Sequence, residues 1–195
     1  MSAPAARTVL DADGLRDAVR RMAAEIERDH PDGVLLVGVL KGGLLLLADL
    51  ARAIRSVPVT IELMAISRYQ SGGGRVAIVL DLAVDIRDRD VVIVDDIIDT
   101  GLTIAYLRGQ LMARGPRSVS LCALVDRTSG RLVPEEVRYR GVEVADEYLL
   151  GYGLHHKELY RNVDAVVAAD AEALAADPRV YLSELYGRPG APATA

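Results

Sequence analysis

Val91-Val92-Ile93-Val94-Asp95-Asp96-Ile97-Ile98-Asp99-Thr100-Gly101-Leu102-Thr103 is the stretch on which the reading of this chain turns. Its four opening β-branched residues predict a strand, Val91 to Val94, buried on both faces. An acidic turn follows, then a helix from about Leu102 to Arg114, with Ile104, Leu107 and Leu111 inward and Gly115-Pro116 as its stop. In open α/β sheets, ligands gather beyond the carboxyl ends of strands, where this turn falls. Its backbone N–H groups and the helix N-terminus suit a phosphate, and Thr100 and Thr103 add hydroxyl donors. A helix dipole contributes only about 0.3–1 kcal/mol near a surface, so the convergence of donors matters more. Asp95 and Asp96 fit if the rest of the ligand is a sugar. They can accept hydrogen bonds from two ribose hydroxyls and orient waters on Mg²⁺, which prefers oxygen. A P-loop does not fit, because no Gly-Lys-Ser/Thr is present. Taken singly, an Asp could end a strand and Thr100 could cap a helix; the whole constellation is what points to a sugar phosphate with a metal.

Outward from this stretch, strands and helices alternate. Leu15, Val19, Met22 and Ile26 recur at helical spacing and predict a helix over Asp11 to Asp29, ended by Pro31 and Gly33. Val34 to Leu40 is a buried strand, Lys41-Gly42-Gly43 a turn, and Leu44 to Ile54 a helix. Val59 to Ile66 and Val76 to Leu82 are strands. Between them Arg68-Tyr69-Gln70-Ser71-Gly72-Gly73-Gly74 is too rich in glycine to be rigid and is expected to be a mobile loop. Ser118 to Val125 is the next strand, Gly141 to Val144 a short extended piece and Ala171 to Ala176 a short helix. This alternation implies a mainly parallel central sheet flanked by helices, an α/β architecture. The tail, Arg188 to Ala195, is expected to be disordered.

Composition narrows the function. The formal net charge of -5 argues against a broad grip on nucleic acid. No stretch is long and apolar enough to span a bilayer, Gly33 to Leu50 being broken by Lys41, Gly42 and Gly43. There is no apolar signal core at the N-terminus, so the expected localisation is cytoplasmic. Cys122 is the only cysteine and sits in an apolar run, so it is expected to be a buried thiol, with no disulfide or cysteine-based zinc site. Of the 23 basic residues only Lys41 and Lys157 are lysines. A lysine kept in a glycine-rich turn marks Lys41 as a place that needs a compact ammonium.

Val91 to Thr103 resembles the phosphoribosyl pyrophosphate signature of the type I phosphoribosyltransferases. The resemblance runs from about Leu35 to Val163 and is closest to the hypoxanthine-guanine branch. Leu40-Lys41-Gly42-Gly43 matches that branch's pyrophosphate loop, and Leu124-Val125-Asp126-Arg127 resembles its base-contacting segment, which usually ends in Lys. Tyr148-Leu149-Leu150-Gly151-Tyr152-Gly153-Leu154, with Tyr160-Arg161-Asn162, resembles its purine-binding stretch. The resemblance implies one phosphoribosyltransferase domain over 1–187. Its core would span about 33–126, and a small hood lobe would come from about 127–187 with part of the N-terminus.

It also implies roles for single residues. Asp95 and Asp96 would serve the ribose hydroxyls and, through water, Mg²⁺. Ile98, Asp99, Thr100, Gly101, Leu102 and Thr103 would surround the 5-phosphate, with Asp99 also placed at the purine imidazole nitrogen as general base or polarising group. Lys41, Gly42 and Arg161 would hold pyrophosphate. Arg127 would donate to the 6-oxo oxygen, Tyr148 would stack on the purine, and the Leu149 backbone would read the ring edge. Arg68 and Tyr69 would belong to a loop that closes over the site. His155 departs from the family, which usually carries there an acidic residue binding a second Mg²⁺. An imidazole is a poor ligand for that ion, so the second metal is held by water and phosphates alone or pyrophosphate handling is altered. His155-His156 makes a poor zinc pair, because adjacent residues point apart.

The implied activity is purine salvage: transfer of phosphoribosyl from phosphoribosyl pyrophosphate to hypoxanthine or guanine, giving IMP or GMP and pyrophosphate, in a homodimer or homotetramer. A xanthine-preferring enzyme and a nonenzymatic nucleotide-sensing regulator of the same fold are the alternatives. The regulator predicts a continuous basic face, whereas the arginines here are scattered among carboxylates.

Overall fold

The computed structural model describes residues 5–68 and 76–187. Its elements, in chain order, are β1 (Arg7–Leu10), α1 (Ala12–Asp29), β2 (Val34–Leu40), α2 (Leu44–Ala53), β3 (Val59–Arg68), β4 (Val76–Leu80) and β5 (Asp90–Ile98). They continue with α3 (Leu102–Met112), β6 (Ser118–Arg127), β7 (Tyr139–Val144), β8 (Tyr148–Leu150), β9 (Val166–Ala169), α4 (Ala171–Ala176) and α5 (Leu182–Leu185). They form two compact units. One holds residues from Arg16 to Asp146; the other joins the described residues up to Leu15 to those from Glu147 onward.

The larger unit is built on a six-stranded sheet in the order β4-β3-β2-β5-β6-β7. Every neighbouring pair is parallel except β3 with β4. β2 and the Val91 to Val94 part of β5 are covered on both faces, which is why they read as apolar runs. Leu35, Val37, Val91, Ile93 and Leu121 pack with Ile104, Leu107 and Leu111 of α3 into one core cluster. Met22 and Ile26 of α1 are fully buried, as their spacing predicts. Cys122 is buried as well, and burial pushes its thiol far above the usual range, leaving it inert.

Several boundaries differ from the sequence reading, and two of them bear on the site. β5 does not stop at Val94: it runs to Ile98, so Asp95 and Asp96 lie within the strand rather than in a turn after it. The reason is the parallel ladder with β6, which continues through Asp95↔Ala123, Ile97↔Val125 and Ile98↔Asp126. Backbone pairing does not depend on side-chain polarity, so a strand can carry carboxylates past the end of its apolar run. β3 likewise extends to Arg68, whose partner is Val76; Arg68 ends a strand instead of opening a loop. Tyr69 and the rest of the glycine-rich stretch, 69–75, lie outside the described residues, as does the tail 188–195.

The smaller unit has an antiparallel sheet in the order β1-β9-β8. Leu150, Tyr160, Val163, Val167, Leu174 and Tyr181 form its core. Asp170 caps α4 by accepting from the Ala173 N–H at 2.9 Å. Among the described residues no helix is long and apolar enough to cross a membrane.

Candidate active site

The chain steps to one side of β2 through α2 and β3, and to the other side of β5 through α3, β6 and β7. The carboxyl ends of β2 and β5 therefore flank a topological switch point, where open α/β sheets bind ligands. β2 and β5 are in register through Gly38↔Val94, so the turn after Leu40 lies beside Asp95 and Asp96. The fit is close. A Cβ on Gly42 would overlap the Asp96 carboxylate, and one on Gly43 would come within 2.5 Å of the Val94 carbonyl. Only glycine lets this turn lie against the acidic strand. The Lys41 side chain is exposed, and the Leu40–Lys41 peptide is cis.

Asp95 is 9 % exposed and Asp96 half-buried. An Asp95 side-chain oxygen accepts from the Asp96 N–H at 3.0 Å, and one of Asp96 accepts from the Ile97 N–H at 2.9 Å. Burial, then the neighbouring Asp96 charge, pushes the Asp95 carboxyl well above its usual range. Two carboxylates packed this closely favour a partner that brings positive charge or hydroxyl donors.

The next two parallel strands bring the catalytic and base-reading candidates together. Ile98 pairs with Asp126, so Asp99 and Arg127 follow side by side, with Arg127 Nη1 3.6 Å from Asp99 Oδ1. Asp99 also lies against Gly130, where a Cβ would come within 2.8 Å of its Oδ1. After Asp99 the chain turns through Thr100 and Gly101, whose φ of +81° suits glycine, into the N-terminus of α3. No side chain caps that helix from its N-cap position; the Thr100 hydroxyl lies 3.4 Å from the Leu102 N–H. Ile98, Asp99, Thr100, Gly101, Leu102 and Thr103 thus lie on one strand-to-helix turn, as expected.

Arg131 was missed in the sequence. Its guanidinium donates to the Asp99 carbonyl at 2.9 Å, to the Ile98 and Arg127 carbonyls at 3.2 Å each, and to the Glu135 carbonyl at 2.9 Å. It also pairs with Asp126, which is 5 % exposed and lies 3.4 Å from Arg140. One side chain therefore ties the turn between β5 and α3 to the strand end that carries Arg127. The Leu132 and Val133 N–H groups add bonds to the Thr100 carbonyl at 2.9 and 3.0 Å. One arginine among many, in a Ser-Gly-Arg-Leu loop, carries no periodicity that would single it out.

In the smaller unit, Tyr148 opens β8 and is 37 % exposed, while Leu149 is buried and pairs with Ala168. The Tyr148 hydroxyl is 2.7 Å from His156 Nδ1. Arg161 donates to the Gly153 carbonyl at 2.5 Å and pairs with Glu158 at 3.1 Å. His155 Nδ1 accepts from the Glu158 N–H at 3.1 Å. Among the described residues no group of three His, Cys, Asp or Glu is placed to hold a metal ion.

With this geometry in view, comparison with known proteins defines the class. The pattern of the Phosphoribosyl transferase domain matches residues 6–158, and the chain belongs to that family. It is 36% identical over 183 residues to the hypoxanthine-guanine phosphoribosyltransferase of Mycobacterium tuberculosis, covering 89% of this chain and 87% of that one. It is 38% identical over 149 residues to the hypoxanthine phosphoribosyltransferase of Salmonella typhimurium, covering 75% and 83%. The hypoxanthine phosphoribosyltransferase of Trypanosoma cruzi in complex with the product IMP superposes with a TM-score of 0.80 at 30% identity, over 85% of this chain and 95% of that one.

Proposed function

We propose that this chain is a hypoxanthine-guanine phosphoribosyltransferase of purine salvage. It transfers a 5-phosphoribosyl group from phosphoribosyl pyrophosphate to a 6-oxopurine and releases pyrophosphate. One observation carries the reading of substrate: a guanidinium and a carboxylate stand 3.6 Å apart at the ends of β5 and β6. That donor beside that acceptor complements a 6-oxo oxygen next to an imidazole N–H, and opposes adenine, whose amino group is a donor.

The chemistry follows from the side chains. The bond from the ribose carbon to pyrophosphate breaks, and a bond to the purine nitrogen forms. Asp99 accepts the proton, or its share of positive charge, from the purine imidazole N–H. Arg127 holds the 6-oxo oxygen, Tyr148 stacks on the base, and the Leu149 backbone reads its edge. Lys41, the Gly42 N–H and Arg161 receive the departing pyrophosphate, where preorganised charge contributes most. The turn from Ile98 to Thr103 holds the 5-phosphate on the N–H groups of α3.

Mg²⁺ fits Asp95 and Asp96, two oxygen donors whose crowding favours a hydrated cation or the ribose hydroxyls. When bound, it supplies positive charge to the pyrophosphate. The family's usual second acidic ligand is replaced by the exposed His155. A thermal-shift series tests the substrate reading: IMP and GMP should raise Tm, and AMP at equal concentration should not. Equal shifts with all three would contradict it.

A further inference from the structure

We propose that His156 is a positioning residue for the purine subsite, holding the Tyr148 ring in the plane in which it stacks on the base. The inference rests on the reading of Tyr148 as the stacking residue.

Tyr148 does not have the packing to fix its own ring. It opens a three-residue strand and is 37 % exposed. His156 constrains it at two points. Its imidazole meets the Tyr148 ring edge-on, with centroids 5.7 Å apart and planes at 65°, and its Nδ1 lies 2.7 Å from the phenolic hydroxyl. An edge contact sets the tilt of the ring, and a bond to its tip sets the rotation. The backbone that carries the imidazole is itself held. The His156 N–H donates to the Leu159 carbonyl at 3.3 Å, and the Leu159 N–H donates back at 2.9 Å. Lys157 and Glu158, at φ of +46° and +65°, close the tight turn between them.

The remaining ring nitrogen, Nε2, is buried and has no hydrogen-bond partner among the described residues. The imidazole's polar bond is therefore the one to Tyr148. Replacing the imidazole by an aromatic ring without nitrogens removes that bond, and the hydroxyl of the partly exposed Tyr148 can turn to water. The His-His pair, unsuited to a metal, thus finds a use for its second member. A ring ordered before the base arrives loses less freedom on binding, so the benefit belongs in purine affinity.

Steady-state kinetics with hypoxanthine and phosphoribosyl pyrophosphate test this on the full chain. His156→Phe should raise KM for hypoxanthine by about two- to tenfold, the worth of one net hydrogen bond, with kcat and KM for phosphoribosyl pyrophosphate unchanged. His156→Asn, whose amide reaches the place of Nδ1 but lacks the ring edge, should recover part of the loss. Tyr148→Phe keeps both rings and loses the same bond, so it should match His156→Phe, and the double variant should be no worse than either. An unchanged hypoxanthine KM in Tyr148→Phe or His156→Phe overturns the proposal, as do effects that multiply in the double variant. A parallel fall in kcat, phosphoribosyl pyrophosphate affinity and Tm would mark a merely structural role and overturn it too. Should His156→Phe not fold, Tyr148→Phe and His156→Asn decide alone. Absence of wild-type turnover with any oxopurine would overturn the functional reading instead, whereas wild-type turnover with indifferent variants overturns this inference only.

Discussion

Asp99 stands where the turn into α3 meets Arg127, and in the proposed reaction it takes charge from the purine. Asp99→Asn should therefore lower turnover by at least about 10²-fold while phosphoribosyl pyrophosphate still binds; single-turnover kinetics beside a binding titration would separate the two. Gly42 is a second sharp test, because any Cβ there overlaps the Asp96 carboxylate. Gly42→Ala should cost about 10²-fold in kcat/KM through misplacement of the acidic pair; kinetics close to wild type would mean that the turn and Asp96 are not coupled. Arg131→Met should destabilise the chain by about 3 kcal/mol in urea titrations, at the low end for a broken buried pair, since Asp126 keeps Arg140. Asp95, Asp96 and Asp99 stood out in the sequence through their spacing along one short segment, and Lys41 through its place in a glycine-rich turn. Arg131 did not, since its importance lies in the Ile98 and Asp99 carbonyls, distant in sequence, which only the folded chain brings within reach.

At the scale of elements, apolar runs and periodicity located β2, β5, α3 and β6, and α4 matches its expected range from Ala171 to Ala176. What the runs did not show is how far a strand persists once its side chains become polar. β5 continues through its carboxylates because β6 supplies hydrogen bonds as far as Asp126, and that information belongs to the partner strand. β1, β8 and β9 escaped notice for a related reason. They have 4, 3 and 4 residues, too few for a pattern, and are held by pairings as distant as Arg7↔Ala168. The junction of β5 and α3 gives the prediction at this scale. Gly101 has φ +81°, and a Cβ there would sit 2.6 Å from the Val133 carbonyl. Gly101→Ala should lower stability by about 1–3 kcal/mol and weaken phosphoribosyl pyrophosphate binding by disturbing the turn; an unchanged urea midpoint would contradict this.

Over the whole molecule, a net charge of -5 with arginines scattered among carboxylates along the sequence suits a small-molecule enzyme better than a nucleic-acid-binding regulator. One buried group sets an expectation for pH. His30 is 7 % exposed, 3.1 Å from the Tyr139 hydroxyl and 4.0 Å from Asp90. Burial lowers its pKa, Asp90 and Asp29 oppose that, and Arg138 adds to it. The unfolded chain thus takes up the proton first, as pH falls through about 6.5, and stability declines from there down to the lower folded value. Urea titrations between about pH 5 and 7 should show this slope in the wild type and a flatter one in His30→Gln; equal slopes would remove His30 as its source. The central claim is tested most directly by pyrophosphate release with phosphoribosyl pyrophosphate, Mg²⁺ and each of hypoxanthine, guanine, xanthine and adenine in turn. The account predicts turnover with hypoxanthine or guanine and none with adenine; no turnover with any oxopurine, despite ligand binding, would contradict it.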